Sequence, residues 1–212
     1  MPFTDDRISG LLDRAARQGA DRAATALTSF TGRSIQFTHR ETRLLMRVDG
    51  EELLNGSSTS DRVLVGAMDI DGGRFAGRGF VLMGSSAVEG LLTIFALDTD
   101  ASGLPDDMAT SMLAEFTNIT MSSYLNALSD ALSMAVDPSP TGLQWMSAPI
   151  SEVDRATFQS SDPAIVLHCE CSAESTVNEL SIMIMINQAD VAALVGSEQV
   201  GADNVSSTSH EG

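Results

Sequence analysis

Glu115 and Asn118 stand three residues apart in a stretch with helical periodicity, so their side chains are neighbours on one face. Small residues surround them: Ser111, Ser122, Asn126, Ser129 and Ser133 project from the same side when 111–134 is placed on a helix of about 100° per residue. Leu113, Phe116, Met121, Tyr124, Leu125, Leu128 and Leu132 project from the other. A carboxylate accepts hydrogen bonds, and a carboxamide both accepts and donates. Nothing bulky shields this pair from a partner. By composition alone this could be an ordinary solvated helix face, although serine and asparagine in mid-helix cost propensity without adding core. The sequence offers no obvious Ser/His/Asp or Cys/His arrangement for nucleophilic catalysis.

The other reactive residues carry less. Cys169 and Cys171, the only cysteines, lie in AIVLHCECSA, which reads as a strand with both thiols on one face. With no further cysteine, and His39 and His210 far away in sequence, these are expected to be buried free thiols, not metal ligands. Asp69-Ile-Asp71-Gly-Gly73 lacks the remaining ligands of a calcium loop and reads as a hairpin turn. Most of the eleven methionines are expected to fill core.

The chain has 212 residues, with 12 basic and 29 acidic side chains and a formal charge of −17. That balance excludes a generic nucleic-acid binder and disfavours an anionic membrane surface. No apolar run approaches the roughly 18 residues of a spanning helix, and no signal peptide is evident, so a cytoplasmic protein is expected. Every basic residue is Arg; there is no Lys. With the acidic excess, this resembles proteins of salt-accumulating halophiles, in which salt screens the self-repulsion of the surface.

The elements that must position Glu115 and Asn118 repeat. A helix over 6–31 is followed by strands at 34–38, 62–71 and 75–84 and a short helix at 86–95. A turn-rich connector, 96–107, leads to a helix from about 108 to 134, capped by Asp106 or Asp107. Strands at 143–150, 164–172 and 178–187 and a short helix at 188–195 follow. Thr25-Ala26-Leu27-Thr28 aligns with Asn126-Ala127-Leu128-Ser129 at an offset of 101 residues. The expected fold is α+β: a pseudo-twofold duplication of a long helix, three antiparallel strands and a short helix, with both long helices packed on antiparallel sheet. One domain is expected over 1–196, with halves of about 5–97 and 106–196. Residues 197–212 are expected to form a disordered polar tail.

The segment Leu113-Ala-Glu115-Phe-Thr-Asn118-Ile-Thr-Met-Ser-Ser-Tyr124-Leu-Asn-Ala-Leu-Ser129 resembles the signature helix of CheC-type chemotaxis phosphatases. That pattern is Ser or Asp, three residues, Glu, two residues, Asn, and a Pro about twenty residues on. The matching residues are Ser111, Glu115, Asn118 and Pro140. Gly19-Ala20-Asp21-Arg22-Ala23-Ala24-Thr25-Ala26-Leu27 resembles a second family segment, and the likeness runs to about residue 196. The resemblance implies hydrolysis of the aspartyl phosphate of CheY, the response regulator that signals to the flagellar or archaellar motor. It implies that Asn118 orients the attacking water and that Glu115 docks to the regulator's Lys. Ser111, Ser122 and Pro140 would contact the substrate protein. No cofactor is implied for this chain, because the regulator supplies its own Mg²⁺.

Family members commonly carry the Glu/Asn pair on both long helices. At the offset of 101, the first helix here has Gly10, Arg14 and Arg17 instead. A guanidinium has no acceptor with which to orient water, so a single site is expected. The resemblance also implies binding of the receptor deamidase CheD, which leaves an adaptor with little catalysis as the alternative. A switch component of the FliY type is disfavoured, because the residues after 196 are too few and too polar for a further domain. A monomer is expected rather than the edge-sharing dimer of CheX proteins.

Overall fold

The computed structural model describes residues 6–45, 62–71, 77–95, 107–133, 135–147, 163–173 and 176–186. Among the described residues, three helices lie on one face of a seven-stranded antiparallel sheet. The helices are α1 (Asp6–Thr31), α2 (Ser85–Phe95) and α3 (Asp107–Leu132). The strands are β1 (Ile35–Leu45), β2 (Arg62–Asp71), β3 (Gly77–Gly84), β4 (Asp137–Pro138), β5 (Gly142–Ser147), β6 (Ala164–Ala173) and β7 (Thr176–Ile186). Their order is β1-β6-β7-β3-β2-β4, with β5 also on β2. The architecture is α+β, as the sequence predicts.

The register reveals the duplication. Val81 of β3 pairs with Ile182 of β7, its own counterpart 101 residues on, so a pseudo-twofold axis passes between these two central strands. Val65 pairs with Leu82, and Val166 with Met183, at the same spacing. Leu45 pairs with Ala164, and Met146 with Val63. α1 and α3 obey the same shift at both ends. The predicted short helix at 188–195 and the predicted tail lie outside the described residues.

Two differences from the sequence reading concern the edge strands. β1 runs to Leu45, well beyond the predicted 38, because its charged residues 40, 41 and 43 are exposed while Phe37, His39, Leu44 and Leu45 are buried. Those charges blur the apolar alternation by which a strand is recognised. The register of β1 on β6 also slips between His39 and Glu41, leaving Arg40 unpaired in a bulge. β4, which the periodicity does not reveal, is the corresponding feature of the second half. Pro138 pairs with Ile70 before the slip and Gly142 with Ala67 after it, so β4 and β5 together match β1. A proline is tolerated there because the strand is at the edge of the sheet.

The core explains why the long helices are rich in small residues. In α1, Ile8, Leu12, Ala15, Ala16, Ala20, Ala23 and Leu27 form the buried stripe. The alanines let α3 approach. A Cβ at Gly19 would lie 2.8 Å from Tyr124 Cδ1, so the α1–α3 crossing requires a bare backbone there. A Cβ at Gly66 of β2 would overlap Thr117 Cγ2. Glycines thus seat α3 against both neighbours. Arg22 Nη2 bridges the helices to Asp130 Oδ2 at 2.7 Å. Phe95 of α2 packs edge-on against both Phe30 and Phe116. Met183 and Met185 are buried, as expected of gap-filling residues, whereas Met108 is 66% exposed.

Candidate functional site

α3 is more enclosed than α1, its counterpart in the first half. Leu113, Phe116, Met121, Tyr124, Leu125 and Leu128 are buried as the helical periodicity predicts, and Leu132 is half-buried. Ala109, Thr117, Thr120, Ser123 and Ala127 are buried too, because α3 contacts α1 and the sheet together. Two of the hydroxyls are satisfied within the helix: Thr117 Oγ1 donates to Leu113 O and Ser123 Oγ to Ile119 O, whereas Thr120 Oγ1 is buried without a hydrogen-bond partner. The helix is two residues shorter than predicted at its C-terminus. Ser133 follows it with φ of 52°, the left-handed position occupied by Gly32 (φ 69°) after α1.

That enclosure leaves a narrow open face. Glu115 and Ser111 are exposed, and Asn118 and Ser122 are half-buried. Ser111 Oγ donates to Asp107 O at 2.8 Å, so its hydroxyl is held by its own helix. Among the described residues no ion pair involves Glu115. Pro140 is exposed beside β5, in the second half's bulge. Ser139 pins that bulge to β2: its N donates to Asp69 O, and its Oγ accepts from Asp69 N, both at 2.9 Å. Arg78 Nε in turn donates to Asp69 Oδ1 at 3.0 Å. α3 packs against β5, the strand that follows this bulge.

The equivalent place in the first half contains different groups. At the shift of 101, Ser111, Glu115, Asn118 and Pro140 correspond to Gly10, Arg14, Arg17 and His39. His39 is buried, and its Nε2 lies 3.0 Å from Asp13 Oδ1. Thr42 Oγ1 is 2.8 Å from the same nitrogen. Asp13 Oδ2 accepts from Arg17 Nε at 3.0 Å. Burial lowers the His39 pKa, against the opposing pull of Asp13. Burial would raise Asp13, but hydrogen bonds from Arg17 and His39 outweigh it and leave that carboxyl below its usual range. Sequence reasoning missed this cluster because its members come from α1 and from the far side of a bulge. The one usable signal was the alignment of His39 with Pro140.

Cys169 and Cys171 are free, buried and on the helix side of β6, as predicted. Cys169 Sγ lies 3.0 Å from Tyr124 Oη, and burial pushes both thiols up to about 12. They are inert at neutral pH. Among the described residues no group of three or more His, Cys, Asp or Glu could hold a metal ion. Nor is any described helix long and apolar enough to cross a membrane.

Residues 108–140, from the start of α3 to the bulge, match the CheC-like family. No curated protein matches the chain. Among solved structures, FliY of Thermotoga maritima is similar at 17% identity and a TM-score of 0.67, covering 92% of this chain and 96% of that one. The FliM middle domain of H. pylori gives 10% and 0.61, over 90% and 98%. CheX of Vibrio vulnificus gives 12% and 0.52, over 82% and 99%. At these identities the likeness is one of fold. The matched span contains Ser111, Glu115, Asn118 and Pro140, all of the signature residues, and the fold is similar to that of these structures.

Proposed function

We propose that this protein hydrolyses the aspartyl phosphate of a CheY-type response regulator, with α3 as the face that docks. The observation that carries the reading is the placement of Glu115 and Asn118, one helical turn apart on the open face of an otherwise enclosed helix, within the family-matched span. An acyl phosphate already has a good leaving group, and phosphoryl transfer is governed by positioning and charge. What a partner must add is a water in line with the P–O bond. The Asn118 carboxamide can accept a hydrogen bond from that water and donate one to it or to the phosphoryl group, which fixes the direction of attack. No general base of shifted pKa is needed. Glu115 pairs with the regulator's Lys and sets the register of docking. Ser111 and Ser122 keep the helix surface low, and Pro140 borders the contact. The Mg²⁺ belongs to the regulator, and this chain contributes no cofactor.

The test is the decay of acetyl-phosphate-labelled CheY from the same organism in molar KCl with Mg²⁺. Wild type accelerates the decay and Asn118→Ala returns it to the rate without protein. A folded wild type that leaves the decay unchanged overturns the reading.

A second reading is favoured by the loss of the Glu/Asn pair from α1. With one face lacking it, the chain could act chiefly as an adaptor for CheD. Asn118→Ala separates the two, since it removes hydrolysis and leaves CheD binding intact.

A further inference from the structure

Residues 6–45 contain seven of the twelve arginines and four acidic residues, a local charge of +3, so the remainder of the chain carries −20. These residues form α1 and β1, which pack together at one edge of the sheet. The exposed side of α1 presents Arg7, Arg14 and Arg17 within an arc of about 80°. α1 as a whole bears +1, whereas α3, its pseudo-twofold mate, bears −3 and has no basic residue.

Two features make the α1 face more than a scatter of charge. Arg17 is oriented: Asp13 holds its Nε through Oδ2, while Asp13 Oδ1 is engaged by His39 and lies 3.4 Å from Thr42 Oγ1. The carboxylate is thereby drawn toward β1, and the guanidinium is left 63% exposed and fixed. Arg14 lies over bare backbone, its Nη1 3.7 Å from the place a Cβ on Gly10 would take. Among the described residues it forms no ion pair. Gly10 keeps the surface low where the two guanidinium groups are presented. Preorganised cations on a low surface lose little freedom on meeting carboxylates.

We propose that this face of α1 is a docking surface for an acidic segment of a partner protein, independent of the site on α3. The charge distribution selects the partner. A chain of −17 repels acidic proteins over most of its surface, so an acidic segment is steered to the edge where the sign reverses. At the positions that match Ser111, Glu115 and Asn118, α1 thus offers a carboxylate-binding surface instead of a Glu/Asn pair.

The experiment uses a fluorescein-labelled octaglutamate peptide, followed by anisotropy at the lowest KCl concentration at which the wild-type protein remains folded. Three folded proteins are compared: wild type, Arg14→Glu/Arg17→Glu, and Arg62→Glu/Arg78→Glu, which makes the same charge change on β2 and β3. The proposal expects saturable binding to wild type, about tenfold or more weaker in the α1 variant and within about twofold of wild type in the control. The decay of phosphorylated CheY is expected to be unchanged by the α1 variant. Equal weakening in both variants would mean that only net charge matters, and overturns the proposal. So does absence of binding to wild type. Sedimentation of each protein over a range of concentration supplies a further check: self-association lost with Arg14→Glu/Arg17→Glu would make a second copy the occupant and overturn it.

Discussion

α1 and α3 share a length and a place about the pseudo-twofold axis, yet their open faces carry opposite chemistry. On α3 the positions hold Ser111, Glu115 and Asn118; on α1 they hold Gly10, Arg14 and Arg17. The buried sides keep an uncharged character but differ in size: Ala15, Ala20 and Ala23 of α1 stand where α3 has Phe116, Met121 and Tyr124. The difference teaches that the frame constrains only the side chains that touch it. Once a duplicated fold closes, each exposed face is free to acquire its own chemistry.

The largest effect that separates the faces is expected from Asn118→Ala, which abolishes acceleration of CheY dephosphorylation. Glu115→Ala acts instead on docking, and raises the regulator concentration at half-saturation more than it lowers turnover. If the frame alone positions the pair, Gly10→Ser/Arg14→Glu/Arg17→Asn added to Asn118→Ala restores measurable hydrolysis, up to the wild-type rate. Failure there, in a folded protein, would show that Pro140 and its bulge are required as well, since His39 stands in the equivalent place.

Packing supplies the next contrast. Gly66→Ala forces a Cβ onto Thr117, and denaturant unfolding is expected to register a loss of about 1–3 kcal/mol. Gly10→Ala meets only Arg14 Nη1 at ordinary contact distance, in a half-buried helical position, and is expected to gain about 0.5–1 kcal/mol. The helix ends differ in the same sense. Ser133 holds a left-handed conformation that Gly32 adopts without strain, so Ser133→Gly is expected to stabilise by about 1 kcal/mol and Gly32→Ala to destabilise by a similar amount.

Acid distinguishes the halves by a smaller margin. His39 titrates near 6.5 in the unfolded chain and lower in the folded one, so below about 6.5 the unfolded state takes up a proton that the folded state resists. Stability therefore falls as pH drops through that range. His168, also held low by burial, contributes in the same direction. Asp13, depressed in the folded state, adds a loss only at more acid pH, below its ordinary 3.8. His39→Gln is expected to flatten the fall of melting temperature between pH 7 and 5 without removing it.

Much of this molecule was legible in its residues. The spacing of Ile8, Leu12, Ala16, Ala23 and Leu27, and of Leu113, Phe116, Tyr124 and Leu128, determined both long helices, since a 3.6-residue period reports which side is buried. The offset of 101 determined the duplication, and the neighbouring Glu115 and Asn118 followed from helical geometry alone. The tertiary structure decided what depends on contacts between distant segments. The charges of β1 concealed the second half of that strand, beyond residue 38, which pairing on β6 stabilises. The slip at His39 and its partner bulge before β5 exist only in the register of one strand on another. The enclosure of Thr117, Thr120 and Ser123 follows from α3 being gripped on two sides, where bare glycines admit it. Asp13, His39 and Arg17 met only once α1 lay across β1. Local sequence encodes periodicity and propensity, whereas a bulge, a close approach and a side-chain cluster are properties of two surfaces, and neither surface is defined until the chain has folded.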